Sequence, residues 1–272
     1  MFAKSARESV ATVKQPLSVV YITLDADRCL DESLNSIVPV ADDIVVVDSG
    51  STDRTRSIAQ KYGARFFEQP WLGFGRQKQS AVEFARHDWV LVLDADEVLT
   101  QEAAAAVRDA LHAEYLPAGF RLARRNFFHG KEIRFGDWAG DRVLRLVDRR
   151  VGRFSDDEVH EKWLATGEVL RLKGEILHYP FENYGAMLNK LERYSNLNAK
   201  KLRQCNAKLS VTAPVTHGLY AFLRCYFFRL GVLDGADGFG IALITALGSF
   251  LKYARAREFA SDAESRANPG SD

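Results

Sequence analysis

The chain has 272 residues, 47 % of them hydrophobic, enough for one large domain or one domain with an appendage around a sizeable core. Lys+Arg 37 against Asp+Glu 36 leave a formal charge of +1, which excludes a global field that recruits nucleic acid. Cys29, Cys205 and Cys225 share no metal-ligand spacing, and the odd count fits a reducing, cytosolic compartment.

The lead Met1–Gln15 is polar with mixed charge and lacks the apolar centre of a signal peptide, so a loose terminus is expected there. LSVVYIT, residues 17–23, is a first buried strand. Asp25 and Asp27 follow it, and Leu30, Leu34 and Ile37 then recur at helical spacing before Pro39. DIVVVD, 43–48, is a second strand that ends in SGSTD, where Ser51 and Thr52 read as caps of the next helix. That helix carries Ile58, Ala59 and Tyr62 on one face and closes at Gly63. A short strand at 65–68 is followed by a glycine-punctuated loop, GFGRQKQ at 73–79, opening a helix through Ala85.

The run WVLVL, 89–93, has no polar residue to mark a solvent side and reads as a strand buried on both faces. It leads into Asp94 and Asp96, which strand alternation would put on one side. Two hard oxygen donors this close suit Mg²⁺ or Mn²⁺ with a phosphate completing the shell; the alternative is an acidic loop before a helix that begins near Thr100. Strand and helix alternate four times in the first hundred residues, the pattern of a doubly wound, mostly parallel sheet with helices on both faces. Ligands of such sheets bind beyond the carboxyl ends of the strands. That rule collects Thr23, Asp25, Asp48, Asp94 and Asp96 along one edge, with Asp48 placed to accept hydrogen bonds from a base or ribose.

After a helix at 101–115, GFRLARRNFF (119–128) and VLRLV (143–147) read as strands around a loop rich in glycine, charge and aromatics, a place for an acceptor. Arg124, Arg125, Lys131, Arg134, Arg142 and Arg145 suit an acidic acceptor, or belong to a solvated surface shared with Glu132, Asp137 and Asp141. FSDDEVHEKW, 154–163, holds His160 and Glu161, the latter a candidate general base or one more surface acid. His178 in ILHYPF is a core histidine or a third ligand of the suspected metal. Residues 183–204 form a helix with Leu188, Leu191 and Leu197 inward. Two apolar stretches between His217 and Arg257 then flank DGADG at 234–238. The second, 239–251, falls short of the ~20 residues that span a bilayer, so helices lying in a membrane interface are expected, with a hairpin packed on the sheet or in a dimer as the alternative. The tail after Phe259 has the composition of a disordered end.

DIVVVDSGSTDRT, QPWLGFGRQKQ, WVLVLDADE, the LRL…F…VHE run and LHY together resemble family 2 of the glycosyltransferases, which has the GT-A fold, and within it the bacterial lipopolysaccharide inner-core β-1,4-glucosyltransferases. The likeness covers residues 17–179, and the apolar C-terminal helices extend it. It departs from the family after the first strand, where Leu24-Asp25-Ala26-Asp27 stands in place of an Asn-containing turn. The resemblance implies that Asp48 contacts uridine, that Asp94 and Asp96 meet ribose and metal with Asp96 the firmer ligand, and that Lys78 meets the diphosphate. It further implies Glu161 as the base, with Asp141 in reserve, and His178 as a possible metal ligand.

The expected organisation is a flexible terminus (1–16), a nucleotide-sugar half (17–115), an acceptor half (116–180), a membrane-associating helical region (181–258) and a disordered tail (259–272). The expected activity is metal-dependent, inverting transfer of a hexose, glucose from UDP-glucose, to a sugar hydroxyl of a lipid-linked oligosaccharide of the lipopolysaccharide inner core. Such a protein would sit on the cytoplasmic face of the bacterial inner membrane, as a monomer or a homo-oligomer. The alternatives are another surface polysaccharide or a protein acceptor, a phosphohydrolase using the D-x-D, and a non-catalytic membrane-associated binding protein.

Overall fold

The structure, a computed structural model, describes residues 14–155, 161–204 and 209–267. His160 and the terminal segments 1–13 and 268–272 lie outside the described residues. In chain order the elements are β1 (Leu17–Thr23), α1 (Asp27–Ile37), β2 (Asp43–Asp48), α2 (Thr55–Lys61), β3 (Arg65–Glu68), α3 (Phe74–Phe84), β4 (Trp89–Asp94), β5 (Glu97–Leu99), α4 (Gln101–Ala110) and β6 (Gly119–Phe128). There follow β7 (Lys131–Ile133), β8 (Asp141–Asp148), β9 (Gly152–Phe154), β10 (Trp163–Ala165), β11 (Val169–His178), α5 (Tyr184–Gln204), α6 (Ala213–Leu223) and α7 (Gly235–Ala267).

The main sheet runs β3-β2-β1-β4-β8-β6-β11-β5, with β7 against β6; β9 and β10 pair separately. From β3 to β4 every pair is parallel, and β8 joins β4 antiparallel. The α/β architecture read from strand–helix alternation is the one observed, as a mixed sheet whose parallel half comes first. Alternation along the central strands divides the core. Tyr21, Val46, Leu91 and Leu93 face α1 and α4, where Leu30, Leu34, Ile37 and Val107 are buried. Val20, Val45, Val47, Val90 and Val92 face Ala81 and Val82 of α3. These strands are buried on both faces, which is why their sequences show no polar side.

Contacts divide the chain into two units. The first comprises residues 1–123 and 142–176; the second comprises 124–141 and 177–272. Residues 116–123 and 142–176, grouped by sequence with the acceptor half, belong to the first unit.

In the second unit α6 and α5 both pack on α7 around Phe128, Ile133, Met187, Cys225, Ile241 and Ala242. A ring stack of His217 on Tyr253 at 3.9 Å and the Ser249 hydroxyl donating to the His217 carbonyl make α6 and α7 an antiparallel hairpin. Gly240 permits α5 to approach, since a Cβ there would lie 2.4 Å from the Tyr184 hydroxyl. Several expectations are corrected here. Met187, Ser195 and Ala199 are buried in α5 and Leu191 faces Gly248 of α7 as expected, whereas Leu188 is 44 % exposed. DGADG does not separate two short helices: α7 starts at Gly235 within it, with Asp237 held by His129 and Tyr184. The 29-residue stretch Gly231–Phe259 is consequently long and apolar enough to cross a membrane by length and composition. The same helix continues past Phe259 to Ala267, because SDAESRA is rich in helix formers and Pro269 lies beyond it.

Candidate active site

Register sets the site in the first unit. Thr23 pairs with Asp48 across β1 and β2, and Ile22 pairs with Asp94 across β1 and β4. The carboxyl ends of three neighbouring strands therefore finish level, and Thr23, Asp48 and Asp94 come to one edge.

Asp48 is 2 % exposed and fully engaged within the chain. Its Oδ2 accepts from the Thr23 hydroxyl at 2.7 Å and the Ser51 hydroxyl at 2.5 Å, and its Oδ1 accepts from the amides of Gly50 at 3.0 Å and Ser51 at 2.7 Å. Burial alone would raise this carboxyl's pKa; the two hydroxyls and two amides outweigh it and hold the group below the usual carboxylate range. The loop before α1 is stitched to the loop before α2. Asp25, at φ +46°, donates its amide to the Ser51 hydroxyl at 2.7 Å and accepts the Thr52 amide at 2.8 Å, and the Ala26 amide meets the Thr55 hydroxyl at 2.8 Å. Ser51 and Thr52, expected as helix caps, tie loops together instead; Asp53 Oδ1 takes the Thr55 amide at the start of α2.

Asp94 is the last residue of β4, and Ala95 and Asp96 form the turn into β5, a strand the sequence reading missed. A turn, rather than strand alternation, thus presents the two aspartates. The GFGRQKQ segment is likewise helical from Phe74, with Gly73 (φ +92°) leading in, so Gln77 and Lys78 lie on the buried face of α3. Lys78, 4 % exposed, places Nζ 2.8 Å from Asp94 Oδ1 and 2.8 Å from Glu161 Oε1. Burial works against its charge, but Asp94 and Glu161 prevail over burial and the nearby Arg145, and the ammonium titrates above its usual value. Arg145 of β8 holds the other oxygen of Asp94 at 2.6 Å and Glu97 Oε1 at 2.5 Å. The edge is therefore a chain of alternating charge, Glu161–Lys78–Asp94–Arg145–Glu97, buried at Lys78, Arg145 and Glu97 and partly exposed at Asp94 and Glu161.

The remaining sequence candidates belong to the second unit. Asp141 is paired with Arg124, and the Nδ1 of His178 lies 2.6 Å from Asn126 Oδ1. Among the described residues no three His, Cys, Asp or Glu side chains form a group that could hold a metal. Of the arginines expected to face an acceptor, Arg125 and Arg134 pair with Glu132, and Arg145 is buried in the first unit.

The model of glycosyl transferase family 2 matches residues 18–128, the span from β1 to β6 that includes Asp48, Lys78, Asp94 and Asp96. The lipopolysaccharide core biosynthesis glycosyltransferase LpsC of Rhizobium meliloti is 33 % identical over 255 residues, covering 89 % of this chain and 92 % of its own. The chain belongs to glycosyltransferase family 2. An uncharacterised glycosyltransferase of Rickettsia typhi is 30 % identical over 259 residues, 89 % of this chain and 87 % of its own. Among solved structures, glucosyl-3-phosphoglycerate synthase from Mycobacterium tuberculosis, in complex with Mn²⁺, UDP and glucosyl-3-phosphoglycerate, matches 43 % of this chain and 45 % of its own at 26 % identity with a TM-score of 0.32.

The glycosyltransferase has the GT-A-like α/β fold that its motifs imply, and family membership sets aside the phosphohydrolase and non-catalytic readings of the D-x-D. Two charged residues of this transferase's site escaped the sequence reading. Glu97 follows the D-x-D directly and is fully buried; Arg145 was read as facing an acidic acceptor or lying on a solvated surface. No local signal separates Arg145 from the other arginines of that stretch, because what buries it is the pairing of β8 with β4.

Proposed function

We propose that this glycosyltransferase transfers glucose from UDP-glucose, with inversion, to a sugar hydroxyl of a lipid-linked glycan of the lipopolysaccharide inner core. The acceptor class is supported by LpsC, named for lipopolysaccharide core biosynthesis. The observation that carries the reading is Lys78, one buried cation bridging a donor-edge carboxylate, Asp94, to a candidate base, Glu161. A nucleoside diphosphate entering this edge offers Lys78 a stronger anion, and turning toward it leaves Glu161 able to take a proton.

Asp94 and Asp96 suit a divalent ion of the hard, oxygen-loving kind: two carboxylates leave further positions for phosphate oxygens, as Mg²⁺ sites commonly do. Asp96 is its leading ligand, as the family resemblance implies, and Asp94, whose oxygens also serve Lys78 and Arg145, is the second. Such an ion neutralises the charge that gathers on a departing diphosphate. Thr23, Asp25 and Asp48 hold the nucleoside end. Asp48 needs only to exchange hydroxyl partners to accept from a base N–H, and the bonds it makes now pre-form the turn. Glu161 removes the proton of the acceptor hydroxyl, a contribution of about 10²–10⁴ in rate. One base and one in-line displacement turn an α-linked donor into a β-glycoside. Asp141 is the reserve base.

Transfer and donor hydrolysis by Glu161→Gln test the assignment. Transfer should fall by about 10²-fold or more while UDP binding persists; near wild-type transfer would reject Glu161 as the base.

The acceptor is presented on an anionic membrane surface, where we place the second unit. Residues 124–141 and 177–272 carry 16 Lys and Arg against 11 Asp and Glu, an excess that the near-neutral whole chain conceals. The α6–α7 hairpin exposes Leu219, Tyr220, Phe227, Phe228, Leu233 and Leu243. Arg224 and Arg229 meanwhile pair with Asp137. Exposed apolar groups beside arginines whose charge is matched by Asp137 suit a surface lying in the lipid interface.

A further inference from the structure

Arg145 lies on β8 between Leu144 and Leu146 and is 7 % exposed. Its Nη2 donates to Asp94 Oδ2 at 2.6 Å and to Glu97 Oε1 at 2.5 Å. Glu97 is fully buried, and its second oxygen accepts the main-chain N–H of Asp94 at 3.2 Å. Asp94 is thus held twice by one pair, its side chain by Arg145 and its backbone by Glu97. Lys78 fixes the opposite carboxylate oxygen at 2.8 Å.

A buried ion pair seldom stabilises a fold more than apolar residues of the same shape would. This pair is not even fully satisfied, since the Nε of Arg145 is buried with no hydrogen-bond partner among the described residues. Holding the sheet together is therefore a weak reason for an arginine at this position. What the pair does achieve is to remove the rotational freedom of the first aspartate of the D-x-D. Outer partners of a metal-binding carboxylate act in this way, fixing its direction and charge.

We propose that Arg145 and Glu97 are positioning residues that orient Asp94 toward the nucleotide and its cation. This rests on the sugar-nucleotide reading of the edge. Neither residue touches the donor. Arg145 sets the direction of the Asp94 carboxylate, and Glu97 sets the turn and keeps the guanidinium in place. Lysine does not substitute, because its shorter, differently shaped stem does not carry a nitrogen to the Nη2 position that reaches both acids.

Calorimetric titration of UDP into the full chain, with and without Mn²⁺, tests this on Arg145→Lys and the isosteric Glu97→Gln, with a thermal melt of each. Wild type is expected to bind UDP more tightly with Mn²⁺. Both variants should melt cooperatively and lose about 10–100-fold of the Mn²⁺-dependent affinity, with UDP binding in chelator little changed. Folded variants that keep wild-type Mn²⁺-dependent affinity overturn the positioning role and leave the donor reading standing. A wild type without Mn²⁺-dependent UDP binding overturns the donor reading and this role with it. Failure of both variants to fold marks the pair as purely structural and also overturns the proposal.

Discussion

Arg145 and Asp48 are both buried charged residues at the strand edge, and they differ in what their loss would leave behind. Removing the Arg145 side chain strands the fully buried Glu97 without its counter-charge. Arg145→Ala should therefore cost about 3–5 kcal/mol of stability, read as a lower urea midpoint; an unchanged midpoint would mean that Glu97 finds another partner or a proton. Asp48→Asn keeps the shape but removes an acceptor from the turn that binds Thr23, Gly50 and Ser51. It should cost about 1–3 kcal/mol in nucleotide-free protein, and equal stability would show that those four hydrogen bonds matter only when a nucleotide is bound. At this scale the sequence was half legible. Asp48 and Asp94 announce themselves by residue type at strand ends, Glu161 as an acid in the half after the D-x-D, and Lys78 only through the family resemblance. Glu97 and Arg145 did not, because burial turns an ordinary surface residue type into a partner, and only the register of β8 against β4 reveals that.

The elements of the first unit were readable because uninterrupted apolar runs and helical spacing recur with clear stops at Pro39 and Gly63. The three-residue strands were not. β5 has three residues, and it exists because the D-x-D turn delivers it into the main sheet beside β11. Tertiary pairing rather than local preference makes such a strand. Element contacts of this kind also impose glycine. Gly174 of β11 has φ +77°, and a Cβ there would lie 2.2 Å from the Ala103 nitrogen of α4. Gly174→Ala combines backbone strain with overpacking and should destabilise by about 3 kcal/mol. Equilibrium unfolding in urea checks this, and a loss below about 1 kcal/mol would mean that α4 moves aside freely.

For the molecule as a whole, acid should be a strong denaturant. The Asp43 carboxyl would be raised by burial, but Arg65, the Arg86 amide and the Ser18 hydroxyl bring it below its ordinary value; Asp48 and Asp148 are lowered in the same sense. A group lowered in the folded state contributes stability above its unfolded pKa, about 4 for aspartate, and loses that contribution as pH falls through the folded value. The urea midpoint should thus decline steadily below about pH 4; a flat profile from pH 5 to pH 2 would contradict the carboxylate pairings. Membrane attachment belongs to this scale as well. The total charge of +1 hides a basic second unit, and the apolar hairpin was legible in sequence while its uninterrupted final helix was not. The protein should stay with membranes in low salt and be released by high salt plus detergent, and Phe228→Glu with Leu219→Glu should shift it to the soluble fraction. Full solubility of the wild type without either treatment would reject the lipid surface. The central claim is that the level ends of β1, β2 and β4 form one site for a nucleotide and its cation. Anomalous diffraction from crystals soaked with Mn²⁺ and UDP tests it most directly. The account predicts a manganese peak against Asp96 and Asp94 with the uracil beside Thr23 and Asp48; manganese and nucleotide bound away from that edge would contradict it.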